Sequence, residues 1–537
     1  MNRFLHKIVA VTVISGVSLT SCESYLDVND NPNYPIEADI STLLPSACAS
    51  TIAVLGYNGV LIGTMWLQFT TQGNTTNQYN TLCNYSLSTS SYTSFWRNAY
   101  VNTLPDLKDI ITTSESEEMW DYWVIAKVLT AYNYHILTDL YEDIPFTEAL
   151  DNENYPQPNY DDSRTVVYPG IIDMLDEAID RISDAEANPS TGIDEYDMFL
   201  EGDMDSWRKF AKNLKLKVMM SAYFLRKIHS IMTNCKFVIG RDFDTYSSEI
   251  SSLLSEDDFL EEDCAFTDFE DATNKGNPLY EYNIRQLNTQ ENIRACHTLL
   301  EYLLNYNDPR IVNLYETTTA SGGDTSLSYG ELYEGLPCGT KPSSSTVIAL
   351  SESSRYLQSY DDPVYLMNQA EIYFLEAEAY ARLGNTSMAK TKYDAGVEAA
   401  FDRWESTAGQ GAAFISAGGA YEFDSSSEEA MLKCILTQEW VSYAHANCLD
   451  GVFDRNRTGI PAISSASTVR VSNYPGERTL SSGYELGTLV APGSTVLQPT
   501  EYPRRLLVPN ISSDYNTNAP TTKALEEPMW WQVAQGE

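Results

Sequence analysis

Residues 366–404 read LMNQAEIYFLEAEAYARLGNTSMAKTKYDAGVEAAFDRW, and this stretch decides the fold class. Its apolar side chains recur every three or four residues in two runs, the spacing that places side chains on one face of an α-helix. Between the runs, Gly384 suits the left-handed position that ends a helix, and Ser387 can cap the next helix. The stretch therefore predicts a hairpin of two amphipathic helices. The two apolar stripes consist of Leu366, Ala370, Phe374, Ala377 and Ala381, and of Ala389, Tyr393, Val397, Ala400 and Trp404.

Small residues in both stripes allow the two helices to approach closely, as in a tetratricopeptide unit of about 34 residues. The same helical spacing occurs at 117–140, 166–182 and 205–228, but no fixed period links these segments. Polar stretches without helical spacing separate them, and long insertions of that kind are often functional surface. We predict an all-α fold with a tetratricopeptide-like helical repeat core and long irregular loop insertions. The insertions are 73–94, 317–354 and 407–427.

The first 22 residues have the layout of an export signal. Arg3 and Lys7 precede an apolar run at 8–19, which is too short to span a membrane. The segment resembles a bacterial lipoprotein signal, in which leucine and two small residues precede a cysteine that is lipidated and becomes the mature N-terminus. The resemblance implies a signal peptide at 1–21 and a lipid anchor at Cys22. We expect residues 22–537 to form a single domain. A plain signal peptide with an incidental cysteine is the alternative.

The charge of the chain limits its partners. The sequence has 34 basic and 75 acidic residues, a formal net charge of −41, and its acidic residues are dispersed. A field of that sign repels the phosphates of nucleic acids and the headgroups of anionic lipids. We therefore expect no nucleic-acid partner. The cysteines after Cys22 are isolated and lack the spacing of metal or redox sites, so we expect buried free thiols.

Sequence motifs for catalysis are lacking. The four histidines after residue 21 do not have zinc-ligand spacing, and His135 lies on a predicted apolar helix face. Residues 335–341 fail the spacing of a phosphate loop, and no G-x-S-x-G elbow occurs. The D-x-N-x-N patterns at 27–31 and 514–518 resemble the start of a calcium loop but are not followed by its glycine. We expect no catalytic residue, no metal site and no cofactor, with calcium as a minor alternative.

Aromatic residues are abundant, with 36 Tyr and 9 Trp in the chain. Their rings offer flat apolar faces to sugars, while Asn, Gln and Ser in the same loops supply uncharged hydrogen-bonding groups. Most rings are expected to pack between helices, and helical stripes place Trp66, Trp96, Trp120 and Trp207 in the core. Only aromatic residues in loops are therefore good ligand-binding candidates. These candidates are Asn77, Tyr79 and Tyr85 in the first insertion, and Tyr280, Tyr282 and Arg285 after the turn at 277–278.

Several short blocks of sequence match a known family in order and spacing. They are YLDVN at 25–29, NPN at 31–33, LTDLY at 137–141, IPF at 144–146, GD at 202–203 with Trp207, NDPR at 307–310, AE at 370–371 and FLEAEA at 374–379. With these blocks the chain resembles the SusD/RagB-type outer-membrane nutrient-binding lipoproteins. The subgroup that it most resembles is the SusD-like, starch-binding-associated one of Bacteroidetes. The resemblance extends from Cys22 to about Asn516.

Two later blocks depart from the pattern of the family. The block at 453–461 has Asn456 where an arginine is usual, and the closing block has Val508 and Ser512 where tyrosine and glutamate are usual. Most of the blocks are structural in the family. Charged side chains that are buried in a protein generally occur in pairs. We therefore expect Asp139, and Asp454 together with Arg457, to make contacts within the fold rather than with a ligand.

The resemblance implies a surface lipoprotein, not an enzyme, that is anchored in the outer membrane and faces the cell exterior. It implies that the protein captures a nutrient, an oligosaccharide, and delivers it to a SusC-like TonB-dependent transporter. Ligand residues in the family vary with the ligand, so none is transferred to this chain. Two alternatives remain open at this point: the same architecture binding peptides, and, more distantly, a surface glycoside hydrolase.

Overall fold

A computed structural model describes residues 39–73, 78–223, 237–238, 241–288, 291–339, 353–472, 474–493 and 495–532. Helices dominate these residues, as predicted, and the predicted lipoprotein signal with Cys22 lies outside them. The α-helices are α1 Ile40–Val54, α2 Val60–Trp66, α3 Asn80–Cys83, α4 Ser94–Asn98, α5 Leu104–Glu117, α6 Trp120–Tyr141, α7 Tyr168–Ala187, α8 Ile193–Tyr196, α9 Met204–Tyr223, α10 Phe243–Glu256, α11 Pro278–Tyr280, α12 His297–Tyr306, α13 Ile311–Leu314, α14 Tyr329–Leu332, α15 Gln369–Arg382, α16 Thr386–Asp402, α17 Gly411–Ile415, α18 Glu428–Ser442, α19 Cys448–Thr458 and α20 Asn510–Ser513.

Short π-helical and 3₁₀-helical segments lie between some of the α-helices. Four segments form π-helical turns, and one forms a 3₁₀ turn at Thr319–Ser321. The strands that the structure describes are short and pair two by two in antiparallel fashion: β1 with β5, β2 with β3, and β4 with β6. The π turns are Leu55–Gly59, Ala99–Thr103, Ser163–Val167 and Glu281–Gln286. The strands are β1 Thr70–Gln72, β2 Phe237–Val238, β3 Arg241–Asp242, β4 Cys264–Phe266, β5 Ile293–Ala295 and β6 Val364–Met367.

The hairpin that decides the fold class is formed by α15 and α16. Gly384 has a φ of +80° and ends α15, as predicted, because glycine enters the left-handed region without steric cost. The predicted cap Ser387 is wrong: Asn385 caps α16, and its side chain accepts a hydrogen bond from the Met388 amide. Gly396 allows close packing, since a Cβ there would lie 2.9 Å from the Phe374 ring.

The two ends of the predicted apolar stripes differ from the prediction. Leu366 is buried in strand β6 rather than in the helix, because Asn368 caps α15 and starts it at Gln369. Trp404 lies beyond the last residue of α16 and is half-buried. The remaining stripe residues are buried in α15 and α16, so the two-helix prediction is confirmed.

The other predicted helices are also present. Helix α6 is buried on nearly all sides, and it packs against α5 and α7. Helix α7 packs in turn against α9, whose described part begins one residue before the predicted start. One cluster of buried apolar side chains runs from Ile40 to Trp531 and joins these layers. The described cysteines form no disulfide, and all except Cys434 are buried.

The helical run from Ile40 to Trp66 has 27 residues, and an 18-residue stretch within it has a mean hydropathy of 1.4, enough by length and composition to cross a membrane. Within this run, Leu44, Cys48 and Leu61 are fully buried in the core. Helix α1 packs against α5, and α2 packs against α19. The run therefore serves as a core helix of the fold.

Paired charges connect the helices in the core. Arg457 on α19 donates two hydrogen bonds of 2.7 Å to the carboxylate of Glu378 on α15, and another to Asp454. Burial alone would raise the pKa of Glu378, but the guanidinium groups of Arg457 and Arg382 outweigh it and lower the pKa to about 2. The expectation that Asp454 and Arg457 make fold contacts is confirmed.

Asp139 and His135 on α6 also belong to the core. The Tyr168 hydroxyl donates a hydrogen bond of 2.5 Å to Asp139, whose pKa burial raises to about 7. His135 Nε2 lies 3.5 Å from Asp139 Oδ2, and burial lowers the pKa of this histidine to about 3. Asp139 thus ties α6 to α7 through Tyr168 and makes a fold contact, as expected, and His135 is buried on the same helix. Asn456, where the family has arginine, donates a hydrogen bond to the Pro503 carbonyl and so ties α19 to the closing block.

Candidate functional site

The structure brings together the two loops that were predicted to bind a ligand. Gln78 Nε2 donates a hydrogen bond of 3.5 Å to the Tyr282 hydroxyl, and the Tyr79 hydroxyl donates one of 3.2 Å to Asn283 Oδ1. These residues are about 204 positions apart in the chain. Together with Tyr57 they form a surface that we call the tyrosine junction: Tyr57, Gln78, Tyr79, Tyr282 and Asn283.

Helix α11 and the π turn after it position Tyr282. Asn277 caps α11 by accepting hydrogen bonds from the Leu279 and Tyr280 amides, and Pro278 occupies the first helical position, which needs no donor. Asn277 Nδ2 also donates a hydrogen bond to the Asp362 carbonyl and fixes the turn to its neighbour. The chain then widens into the π turn Glu281–Gln286, a type of turn that is frequent at functional sites.

The rings of Tyr57 and Tyr282 form the aromatic part of the tyrosine junction. Their centroids are 4.6 Å apart and their planes are inclined by 49°. Both side chains are half-buried, so part of each ring remains accessible. Burial raises the pKa of Tyr57 and of Tyr79, and electrostatic interaction with the nearby Tyr282 adds to the rise for both. These hydroxyls therefore stay protonated at neutral pH and can both donate and accept hydrogen bonds.

A network of neutral side-chain amides supports the tyrosine junction on its buried side. Asn283 is fully buried, donates a hydrogen bond of 2.9 Å to Gln358 Oε1 and accepts one of 3.2 Å from Asn292 Nδ2. Because each amide group has a partner, the buried polar network holds Asn283 and the Tyr79 hydroxyl in fixed positions. The junction thus combines partly exposed rings with uncharged polar groups on a rigid base.

Arg285 and Tyr280 lie beside the tyrosine junction but are held by other groups. Arg285 Nε is 3.1 Å from Glu281, and its guanidinium also pairs with Asp271. Its Cζ lies 5.4 Å from the centre of the Tyr280 ring, which packs edge-on against Tyr360. Arg285 therefore has its charge balanced by two carboxylates, and it holds Tyr280 in place rather than presenting a free cation.

Two of the predicted candidates, Tyr79 and Tyr85, are buried in the structure. Tyr85 is 2% exposed and packs edge-on against Trp66 and Tyr502 in the core. Tyr79 is 3% exposed, and only its hydroxyl reaches the tyrosine junction. The first insertion folds back onto the core through α3, which a polar composition did not reveal. Asn77 lies outside the described residues.

The sequence analysis missed Tyr57 because it lies in the apolar run Ile40–Trp66. Gly56, Asn58 and Gly59 around it could have signalled a break in regular helix, and the chain does form the π turn Leu55–Gly59 there. Of the four tryptophans assigned to the core, Trp66, Trp96 and Trp207 are buried, and Trp120 is half-buried beneath the Arg181 guanidinium.

The described part of the chain has no group of three His, Cys, Asp or Glu residues that could hold a metal ion. In the pattern at 514–518, the Asn516 side chain already donates to the Pro158 carbonyl and accepts from the Asn518 amide. The pattern at 27–31 lies outside the described residues. The groups that line the tyrosine junction are therefore suited to hydrogen bonding and ring stacking rather than to metal chemistry.

Comparisons with known proteins agree with this fold. The SusD-like family model described as starch-binding and associating with the outer membrane matches residues 32–475. No curated protein matches the sequence. Among solved structures, the chain is similar to a SusD-like protein from Bacteroidetes AC2a, at 19% identity and a TM-score of 0.68, with 93% of this chain and 100% of that chain covered.

Two further solved structures show the same likeness. A SusD homolog from Bacteroides uniformis has 20% identity and a TM-score of 0.67, with 92% of this chain and 99% of that chain covered. A chitin-binding SusD homolog from Flavobacterium johnsoniae has 18% identity and a TM-score of 0.66, with 92% of this chain and 97% of that chain covered. These likenesses show the fold, and the family match extends over most of the sequence. The chain belongs to the SusD-like family, which is described as starch-binding and associating with the outer membrane.

Proposed function

We propose that this protein binds a neutral oligosaccharide at the tyrosine junction and delivers it to a SusC-like TonB-dependent transporter. The observation that carries the proposal is the pair of half-buried rings, Tyr57 and Tyr282, with hydroxyls and fixed amides beside them. Aromatic faces stack on the apolar faces of sugars, and the adjacent hydroxyls and amides match sugar hydroxyls. The family description and the chitin-binding relative support a glycan as the ligand class.

The charges of the molecule favour a neutral glycan over an acidic one. The chain has a formal net charge of −41, which repels anionic ligands. Arg285, the cation nearest to the tyrosine junction among the predicted site residues, already pairs with Glu281 and Asp271. An acidic sugar would have to compete with both carboxylates for that guanidinium. A neutral sugar requires no such exchange.

Binding without catalysis is the proposed activity. We propose no cofactor and no metal, so a chelator should leave glycan affinity unchanged. Purified protein should not hydrolyse the glycan that it binds. Turnover of a glycan would instead support the glycoside hydrolase alternative, and binding of peptides with no response to glycans would support the peptide alternative.

The location of the protein is the second part of the proposal. We propose that Cys22 carries a lipid that anchors the protein in the outer membrane, facing outward, where ligand can be captured. A single acyl chain binds membranes only weakly, so several chains or a partner are needed for stable attachment. Palmitate labelling should disappear in Cys22→Ala. Full-length protein purified from its membrane in mild detergent should bring a TonB-dependent transporter in stoichiometric amount.

Isothermal titration calorimetry with maltoheptaose and chitohexaose tests the binding site. Ring contacts of this kind contribute about 0.5–1.5 kcal/mol each, so Tyr282→Ala should weaken binding about 2- to 10-fold. Tyr282→Phe keeps the ring and should lose less. Tyr474→Ala is the matched control, because Tyr474 is 56% exposed and its described hydrogen bonds use only backbone atoms. Equal affinities for wild type, Tyr57→Ala and Tyr282→Ala would contradict the proposed site.

A further inference from the structure

A second concave surface lies away from the loop 280–285. It is a cavity of about 360 Å³ between the π turn Ala99–Thr103, the start of α5, the loop 145–158 and α20. We call it the Tyr515 cavity. Its volume is within the range of small-molecule binding sites. Its lining residues include Trp96, Tyr100, Lys108, Asp109, Asn152 and Tyr515.

The floor of the Tyr515 cavity is a rigid aromatic layer. Trp96 stacks on Tyr160 with ring centroids 5.7 Å apart and planes inclined by 22°, and Tyr100 packs 4.9 Å from Trp96. The Tyr100 hydroxyl donates a hydrogen bond of 2.7 Å to the Pro145 carbonyl. The Tyr160 hydroxyl is hydrogen-bonded to Ser512 at 2.7 Å, which attaches α20 to the floor. The shape of the cavity is therefore fixed by packing rather than formed by a loose loop.

Exposed apolar side chains are concentrated at the rim of the cavity. Tyr515 is 81% exposed and Ile511 is 44% exposed, and both line it. Val101 and Tyr155 are also among the exposed large hydrophobic residues of the described part of the chain, and they are the chain neighbours of the lining residues Tyr100 and Pro156. Soluble domains seldom gather exposed apolar groups around one cavity unless something binds there.

Polar groups at the cavity have hydrogen-bonding capacity to spare. The Lys108 ammonium donates one bond, of 2.7 Å, to the Leu150 carbonyl, and an ammonium carries three donors. Asp109 and Asn152 are exposed beside it and supply acceptors and a further donor. One ammonium and one carboxylate in the lining give it no net charge. The cavity thus has free donors and acceptors without a preference for ionic ligands.

From these observations we infer that the Tyr515 cavity is a second carbohydrate-binding site, which takes a short neutral segment of the same glycan. The inference rests on the proposed function but uses a different surface. Four of its lining residues, Pro105, Pro145, Pro156 and Pro158, have no backbone N–H and so cannot donate a hydrogen bond to a peptide strand. Their rings and that of Tyr515 offer apolar faces to sugar rings, and the free polar groups match hydroxyls.

The segment 92–100 lies between the two sites. Tyr92, at its start, is half-buried, and burial raises its pKa, with Tyr79 and Tyr282 adding to the rise. Trp96 on α4 and Tyr100 in the following π turn, four and eight residues later, line the cavity. Two sites on one rigid segment would retain a long glycan more firmly than either site alone, because the second contact becomes intramolecular.

Affinity electrophoresis in gels with amylose or glycol chitin, together with calorimetry using maltoheptaose and chitohexaose, tests the inference. We expect Tyr515→Ala to weaken retention by the polysaccharide 2- to 10-fold, and Tyr282→Ala with Tyr515→Ala to abolish it. Tyr474→Ala should equal wild type. Thermal melting should not change in Tyr515→Ala, since its ring is largely in solvent.

The outcomes separate this inference from the proposed function. If Tyr282→Ala abolishes retention and Tyr515→Ala with Asp109→Ala behaves like wild type, the inference is overturned and the tyrosine junction stands. If only the cavity variants lose retention, the inference stands and the proposed site at the junction fails. A wild-type protein that binds neither glycan in either assay overturns both. Binding of decaproline that Tyr515→Ala removes, with glycan retention unaffected, identifies a peptide site and also overturns the inference.

Discussion

The core around α15 and the tyrosine junction are both rich in polar and aromatic groups. These groups are paired within the protein in the core, but they remain partly accessible at the junction. In the core, Glu378 has its carboxylate satisfied by Arg457 and Arg382, all within protein. At the junction, Tyr57 and Tyr282 are only half-buried, and their hydroxyls lie at the edge of the fold. The polar groups of the core hold helices together, whereas some polar groups of the tyrosine junction remain available to a ligand.

The difference shows that residue type alone does not separate structure from function in this chain. Tyr85 and Tyr282 are both tyrosines in polar segments, but one packs among Trp66 and Tyr502 and the other faces the surface. What distinguishes them is whether the backbone turns the ring inward or outward. Substitutions in the two regions should therefore affect different properties, stability in the core and binding at the junction.

The largest expected effect comes from breaking the charge cluster of the core. Arg457→Ala leaves the buried carboxylate of Glu378 with one fewer partner and Asp454 without its guanidinium, and we expect a loss of about 3–5 kcal/mol in the free energy of unfolding. Urea denaturation monitored by circular dichroism measures it. Lys433→Ala is the control, because its pair with Glu485 is exposed and should contribute less than about 1 kcal/mol. Equal unfolding free energies of Arg457→Ala and Lys433→Ala would contradict the larger contribution that we assign to the buried charge cluster.

The second prediction compares two tyrosines directly. Tyr85→Ala removes a ring that is fully buried among other rings, and we expect it to cost about 3 kcal/mol of unfolding free energy. Tyr282→Ala should cost less than about 1 kcal/mol, because its ring is partly exposed, and should instead weaken glycan binding. The same two variants are measured by urea denaturation and by calorimetry. If Tyr85→Ala kept full stability and lost binding, the assignment of this ring to the core would be wrong.

The third prediction concerns acid. The pKa of Glu378 is about 2 in the folded protein and near its ordinary value of 4.5 in the unfolded chain, so the unfolded chain binds the proton first as pH falls. This group therefore adds stability above pH 4.5 that is lost as pH falls towards 2. The difference in unfolding free energy between wild type and Glu378→Gln should be constant above pH 5 and shrink by about 3 kcal/mol towards pH 2. Glu485→Gln, at an exposed pair, is the control and should show little change. If the difference in unfolding free energy between wild type and Glu378→Gln stays constant down to pH 2.5, the lowered pKa of Glu378 is contradicted.

The sequence was sufficient for the helices because their information is local. The stripes of 366–404, the glycine that ends α15 and the runs at 117–140 and 166–182 each depend on spacing within one segment. Errors arose where a neighbour decided the outcome. Leu366 belongs to β6 because it pairs with β4, and Tyr85 is buried because distant residues such as Tyr502 pack on it.

The candidate site was predictable in part for the same reason. Polar loops with tyrosine identified the segments around Tyr79 and Tyr282, and the structure places these side by side. Tyr57 was missed because an apolar helix surrounds it, although Gly56, Asn58 and Gly59 could have signalled the π turn from which its ring packs against Tyr282. The Tyr515 cavity depends on packing between α20 and the segment 94–105, which are about 400 residues apart in the chain.

The smallest expected effect concerns the start of α16, where sequence and structure choose different caps. The Asn385 side chain accepts a hydrogen bond from the Met388 amide, one of the free donors of the first turn, whereas Ser387 lies inside the helix. Asn385→Ala should therefore lower the unfolding free energy by about 1 kcal/mol, and Ser387→Ala should change it by less than about 0.5 kcal/mol or raise it slightly, because alanine is the better helix former. Both positions are exposed, so neither substitution creates a cavity, and both should leave glycan binding unchanged. A larger loss of unfolding free energy for Ser387→Ala than for Asn385→Ala would instead identify Ser387 as the cap, as the sequence alone predicts.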